Sequence, residues 1–262
     1  MASEKTTALI TGASAGIGRE LAKVFASHGH NLILVARNRD ALEALAGTLE
    51  GKHDIKATVI SCDLSDPNSP QRLFDTAVSE GLAVDILVNN AGFGAAGDFA
   101  DTDLQRELDM IQVNITAVTQ LTKLFMQPML KRNKGRILNI ASTAGFQPGP
   151  GMSVYFASKA YILSLSQAID EELRNTGVTV TCLCPGTTHS EFAQRAGLTN
   201  SRLFKLPGVA TAEEVARFGY DATMRGERVA IPGIKNKAHL QVLRLVPRSI
   251  VTLLARKAHE AH

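Results

Sequence analysis

The stretch TTALITGASAGIGRELAKVFASHG, residues 6–29, decides the fold. A short apolar run ends at Gly12, two more glycines follow at Gly16 and Gly18, and a helical pattern begins at once over 17–28. Strand, glycine turn and helix in that order open a parallel βαβ unit. A turn without Cβ atoms lets a pyrophosphate approach backbone N–H groups at a helix N-terminus, where the peptide dipoles favour negative charge. Ser14 and Ile17, between the glycines, join Gly12, Gly16 and Gly18 as candidate contacts. The spacing is GxxxGxG and not the commoner GxGxxG, and a tight turn that binds nothing would use the same residues.

Outward from this unit, Val/Ile/Leu-rich runs recur at 31–36 (NLILVA), 57–63 (ATVISCD), 84–90 (VDILVNN), 135–142 (GRILNIAS), 178–184 (VTVTCLC) and 228–233 (RVAIPG). Continuous apolar runs are expected of strands buried on both faces of a parallel sheet. Helical patterns separate them at 40–50, 68–81, 103–131, 153–176 and 212–225. The alternation predicts a single doubly wound α/β domain. We assign 1–238 to this dinucleotide-binding and catalytic domain, with the irregular piece 186–211 as a cover containing short helices. Residues 239–262 form a C-terminal amphipathic helical extension divided by Pro247. It reads as a helix packed on the domain or on a sister subunit, or as a basic amphipathic segment in peripheral contact with a membrane surface.

Composition narrows the partners. The formal net charge of +3 is small, and no pattern of basic and aromatic residues for reading bases accompanies it, so nucleic acid is not expected. The three cysteines, Cys62, Cys182 and Cys184, make neither a disulfide framework nor a zinc pattern. Cys182 and Cys184 read as small buried residues on a strand. No apolar h-region precedes the first glycine turn, and no run is long enough to span a bilayer. A cytoplasmic, reduced protein is the expectation, with no metal.

Ligands of open α/β sheets bind outside the carboxyl ends of the strands, so the residues at those ends matter. The second strand ends at Ala36, followed by Arg37 and Arg39. An acidic residue there would hold the ribose hydroxyls of NAD, whereas a guanidinium suits the extra phosphate of NADP. Arg37 is the better candidate, and NADP is the expected cofactor, with NAD as the alternative. Asp63 and Leu64 close the third strand. Asn90, Ala91 and Gly92 follow the fourth in the sequence NNAG.

In SVYFASKA (153–160), Tyr155 and Lys159 are four apart and so share one face of a helix. A free phenol has a pKa near 10, and a neighbouring cation favours its ionised form, bringing it toward the working pH. Ser142, at a strand end, can orient a substrate oxygen and share developing charge. Read alone, Ser142 is a turn or cap serine and YxxxK a chance pair.

Together with TGASAGIG (11–18), NNAG (89–92), Asn114 in IQVNITA, Ser142 in NIAS and PG (185–186), this stretch resembles the classical short-chain dehydrogenases/reductases over roughly 6–233. The resemblance implies a single Rossmann-like domain with a seven-stranded parallel sheet, a nicotinamide dinucleotide as hydride carrier, and the catalytic set Asn114, Ser142, Tyr155 and Lys159. It implies that Lys159 also bonds the nicotinamide ribose and that Asn114 holds a water of a proton relay. It further implies cofactor contacts from Pro185, Gly186, Thr188 and Ser190, and a homodimer or homotetramer built through the helices beginning near 103 and 153. Two positions depart from the pattern. Ser190 stands where threonine is usual, and Ala15 stands where relatives preferring NADP often carry a basic residue.

The function expected is an NADP-dependent oxidoreductase acting on a carbonyl/alcohol pair, with a non-catalytic dinucleotide-binding regulator of the same fold as the alternative. The substrate walls expected are 94–99, 143–152 and 187–207, the last with Phe192, Leu198, Leu203, Phe204 and Leu206. They are mostly apolar and point to a lipophilic substrate.

Overall fold

A computed structural model describes residues 5–197 and 209–260 of the chain. Its strands are β1 (Thr7–Thr11), β2 (Asn31–Ala36), β3 (Ala57–Ser61), β4 (Ile86–Asn89), β5 (Gly135–Ile140), β6 (Val178–Leu183), β7 (Thr188–His189), β8 (Ala210–Thr211) and β9 (Val229–Ala230). Seven of them form one parallel sheet in the order β3-β2-β1-β4-β5-β6-β9, and β7 pairs with β8 apart from it. The helices are α1 (Gly16–Ser27), α2 (Arg39–Lys52), α3 (Ser69–Ser79), α4 (Leu104–Ile111), α5 (Val118–Lys131), α6 (Ser153–Glu172), α7 (Phe192–Arg195), α8 (Ala212–Arg225), α9 (Ile234–Leu245) and α10 (Arg248–Glu260).

The apolar runs make strands because both faces are covered. Ala8, Ile10, Leu32 and Leu34 pack with α1, α2 and α8 residues such as Leu21, Phe25, Leu42 and Val215. The alternate residues Leu9, Ile33 and Val35 face the other way, against Leu73 of α3 and Leu121 and Phe125 of α5. Successive side chains of a strand point to opposite faces, so a strand between two helical layers must be apolar at every position.

A buried row of amides breaks this rule. Asn89 and Asn139 lie side by side on β4 and β5. The Asn89 amide donates to Asn139 Oδ1 at 2.8 Å and to Thr122 Oγ1 on α5 at 3.0 Å. Asn139 in turn donates to Ser166 Oγ on α6 at 2.9 Å. The chain of amides ties α5 and α6 to the sheet and so fixes the helix that carries Tyr155 and Lys159.

Two boundaries differ from expectation. The single helix expected over 103–131 is α4 and α5 joined by a π-helical segment, Gln112–Ala117. The wider turn coincides with Asn114, whose amide Nδ2 donates to the Phe93 carbonyl at 2.9 Å while its Oδ1 accepts from the Phe93 N–H at 3.1 Å. The C-terminal helical extension begins at Ile234 and not at 239, because Gly233, at φ +82, turns the chain directly out of β9 into α9. Pro247 separates α9 from α10, as the sequence predicts. No helix among the described residues is long and apolar enough to cross a membrane.

Candidate active site

The sheet order reverses between β1 and β4, and the crevice at such a switch point is where ligands bind in open α/β sheets. Here it holds a cavity of about 1060 Å³ whose walls come from the residues after β1, β2, β3, β4, β5 and β6. Every strand-end group expected from sequence except Gly18, Arg39 and Asn114 lines it.

At one end lies the glycine turn. Gly12 and Gly16 adopt left-handed conformations, φ +67 and +53, which residues with a Cβ rarely take. Gly18 serves packing: a Cβ there would lie 2.3 Å from both Asn90 Nδ2 and the Gly12 carbonyl. Beneath the turn, Thr11 Oγ1 donates to Val88 O at 3.2 Å and accepts from the N–H groups of Asn90 and Ala91, each at 3.0 Å. Asn90 Nδ2 donates to the Thr11 carbonyl at 2.8 Å, locking the fourth strand end to the first. The N-cap residue of α1, Ala15, has no side chain to cap the helix. The first-turn N–H groups therefore keep their capacity toward the cavity wall formed by Ser14, Ala15, Gly16 and Ile17. A dinucleotide pyrophosphate fits these residues.

Beyond the glycine turn, Arg37 lines the cavity and lies 3.9 Å from the Asp63 carboxylate. With side chains 74% and 49% exposed, this pair is weak and the guanidinium is free to turn to another anion. Asp63 Oδ1 also accepts from the Ser65 N–H at 3.0 Å and hydroxyl at 2.9 Å. Arg39 lies outside the cavity and pairs with Glu43 one turn along α2 at 3.2 Å.

The opposite end gathers the chemistry. Ser142 caps a 3₁₀ turn, Thr143–Phe146: its Oγ accepts from the Ala144 N–H at 3.1 Å and donates to Pro185 O at 3.3 Å. The cap reading of this serine thus holds, and its side chain is near enough to the Tyr155 phenol to favour the ionised form. Tyr155 sits in the first turn of α6, its ring 5.3 Å from that of Phe192. Lys159 is only 6% exposed. Its Nζ donates to Ile140 O at 2.9 Å and stands 5.7 Å from the centre of the Tyr155 ring.

Burial governs both titrations. It pushes the Tyr155 phenol up to about 12, against a smaller downward pull from the Ser142 hydrogen bond. It pushes Lys159 down to about 8, opposed by the buried thiols Cys182 and Cys184, whose sulfurs are 3.8 Å apart. In the cofactor-free protein, desolvation thus outweighs the lowering of the phenol by Lys159 that the sequence suggests, and the ammonium donates to a backbone carbonyl.

Asn114 is buried and does not line the cavity. Its amide is used by the Phe93 backbone and by Ser158 Oγ at 3.1 Å, so its side chain holds the segment after β4. Of the contacts expected after β6, Thr188 and Ser190 both line the cavity. Thr188 Oγ1 donates to Gly186 O at 2.9 Å, and Ser190 Oγ accepts from the Phe192 N–H at 3.4 Å. Of the expected substrate walls, Thr143, Ala144, Gln147, Met152 and Phe192 line the cavity. Phe99 is exposed and outside it, and Leu198, Leu203, Phe204 and Leu206 lie outside the described residues.

Sequence reasoning missed a whole wall. Asn236, His239 and Leu243 of α9 and Val251, Leu254 and Ala255 of α10 line the cavity, as do Arg106 and Asp109 of α4. The helical spacing over 239–262 marks a buried face but not what it is buried against. Also missed was the Arg19–Glu191 ion pair at 3.3 Å, which ties α1 to the segment after β6.

A family model for short chain dehydrogenases matches residues 6–200. The chain is 39% identical over 194 residues to the putative ketoacyl reductase 1 of the granaticin polyketide synthase of Streptomyces violaceoruber, covering 73% of this chain and 71% of that one. Among solved structures, a short-chain dehydrogenase from Sphingobium yanoikuyae in complex with NADPH superposes with a TM-score of 0.83 at 33% identity, over 94% of each chain. The bulky-bulky ketone specific alcohol dehydrogenase from Comamonas testosteroni gives 0.78 at 34% identity, over 92% of each chain. The chain belongs to the short-chain dehydrogenase family and is an oxidoreductase of that family.

Proposed function

We propose that this short-chain dehydrogenase transfers a hydride between NADP and a lipophilic carbonyl or alcohol, with Tyr155 as general acid and base. The observation that carries the reading is that Ser142, Tyr155 and Lys159 line the same cavity that runs back along the glycine turn to Arg37. When bound, the dinucleotide supplies or accepts the hydride. In the reducing direction Tyr155 gives its proton to the substrate oxygen while the Ser142 hydroxyl donates a hydrogen bond to it. Lys159 holds its charge beside this pair and carries ribose-binding hydrogen bonds. The turn residues Gly12, Ser14, Gly16 and Ile17 hold the pyrophosphate, Asp63 and Leu64 border the adenine, and Arg37 binds the additional phosphate. The absence of an acidic residue at Ala36 supports NADP over NAD.

Apolar walls support the lipophilic substrate: Phe93, Met152, Phe156 and Phe192 together with Leu243, Val251 and Leu254. An exposed apolar face on α4, with Leu104 at 71% and Leu108 beside it, and Tyr161 on α6 support assembly as a homodimer or homotetramer through these helices. The test is a titration with NADPH and with NADH, followed by a panel of ketones and aldehydes. NADPH is expected to bind more tightly, and Tyr155→Phe is expected to abolish turnover while leaving NADPH binding intact. Equal affinity for the two cofactors refutes the role of Arg37. Undiminished turnover in Tyr155→Phe refutes the proton donor.

A further inference from the structure

The helices α9 and α10 have two different faces. Leu240, Val251 and Ala255 are buried, and residues on that side line the cavity. The other side exposes Ile234 and Leu245 at 86% and 88%, with Val242, Ile250 and Leu253 about half exposed. This is a far larger apolar display than scattered surface residues make. Charge is as lopsided. Between Arg228 and Glu260 the sequence has Lys235, Lys237, Arg244, Arg248, Arg256 and Lys257 and no Asp or Glu. The positive balance of the whole chain comes from this segment, because elsewhere acidic residues outnumber basic ones. Lys235 and Lys237 are exposed at the start of α9, next to Ile234.

We propose that the outer face of α9 and α10 docks on an anionic lipid surface. A helical segment with exposed apolar side chains, Lys235 and Lys237 exposed beside Ile234 and no Asp or Glu before Glu260 binds the boundary between headgroups and acyl chains through both terms at once. A second copy of this chain is the weaker occupant. In a two-fold interface the same patch meets itself, which would set the basic segment against its own like charges. Leu254 lies one turn on from Val251 and beside Ala255, and it lines the cavity with them while 57% exposed, so the cavity is open at α10. Docking itself does not depend on the substrate assigned above.

The experiment is co-sedimentation of the full chain with vesicles of phosphatidylcholine, with and without phosphatidylglycerol, at low and high salt. The chain is expected to sediment with the anionic vesicles and to be released by salt. Lys235→Gln combined with Lys237→Gln is expected to weaken binding by roughly 25-fold, about 5-fold for each cation. Leu245→Glu with Leu253→Glu, which do not line the cavity, is expected to lose binding by more than about tenfold while the circular-dichroism spectrum and NADPH affinity stay unchanged. Absence of vesicle binding overturns the proposal, as does equal binding to neutral and anionic vesicles. It is also overturned if the chain self-associates without lipid and the leucine variant separates it, which would assign the face to a second copy.

Discussion

Replacing Lys159 by methionine removes a buried cation while nearly preserving its volume, and the structure sets the size of the consequence. Burial holds Lys159 at about 8 against an ordinary 10.5. That gap of about 2.5 units corresponds to roughly 3 kcal/mol by which the folded state disfavours the charged form. Between pH 8 and 10.5 the unfolded chain binds this proton and the folded chain does not, so the wild-type protein gains stability as pH rises through that window. Below pH 8 the full penalty applies; above 10.5 none remains. Methionine carries no proton and has no such dependence.

The stability of the wild type minus that of Lys159→Met should therefore rise by about 2–3 kcal/mol from pH 7 to pH 10. At pH 7 the variant should be as stable as the wild type or slightly more so. The relieved penalty is offset by loss of the hydrogen bond to Ile140 O, worth about 1.5–3 kcal/mol for a charged donor. Urea unfolding of both cofactor-free proteins at four pH values measures the difference directly. A difference that stays flat across the range, or falls, would mean that Lys159 is not held below its ordinary value and that the reasoning from burial is wrong.

Other positions give sharp outcomes. Arg37→Ala should weaken NADPH binding by about 10- to 100-fold, the loss of one charge-assisted contact, and leave NADH binding nearly unchanged; fluorescence titration with both cofactors reads this. Thr11→Val keeps the shape but strands the N–H groups of Asn90 and Ala91, at a cost of about 2–4 kcal/mol by urea unfolding. Gly18→Ala forces a methyl group against the Gly12 carbonyl. It should cost about 1–3 kcal/mol, seen as a Tm lower by several degrees together with weaker cofactor binding.

What sequence could reveal here followed from local order. The strand–glycine–helix succession and the strand-end residues Arg37, Asp63 and Asn90 are read from the chain because a parallel sheet sends all its strand ends to one edge. Neighbouring residues of the same type were harder. Asn89 and Asn90 look alike in NNAG, yet strand alternation turns Asn89 into a buried amide network while Asn90 locks the glycine turn. Arg37 and Arg39 separate only because Arg39 already belongs to α2 and finds Glu43 one turn on. The interruption at Asn114 was hidden because a π-helical turn leaves no signature in apolar spacing. The α9–α10 wall was hidden because periodicity specifies a face without its partner. Burial was the least legible quantity: YxxxK announces a cation near a phenol but not that the cation is buried and that desolvation raises the phenol.

That last point bears on the direction of proton movement. Burial favours the neutral form of both groups, and yet at neutral pH they sit on opposite sides of their titrations. Lys159, at about 8, is still charged, while Tyr155, at about 12, is protonated. A charge 5.7 Å from the ring centre acts with about 3 kcal/mol at an effective dielectric of about 20, equivalent to roughly 2 units of pKa. That attraction can offset the rise caused by burial but cannot carry the phenol down to neutrality. Raising the pH does not help, because Lys159 loses its charge before the phenol ionises, and the two equilibria work against each other. For the proton transfer proposed above, the cofactor-free pair therefore has the protonation state that carbonyl reduction uses, whereas alcohol oxidation requires the phenolate to be stabilised by charge or hydrogen bonds brought into the cavity.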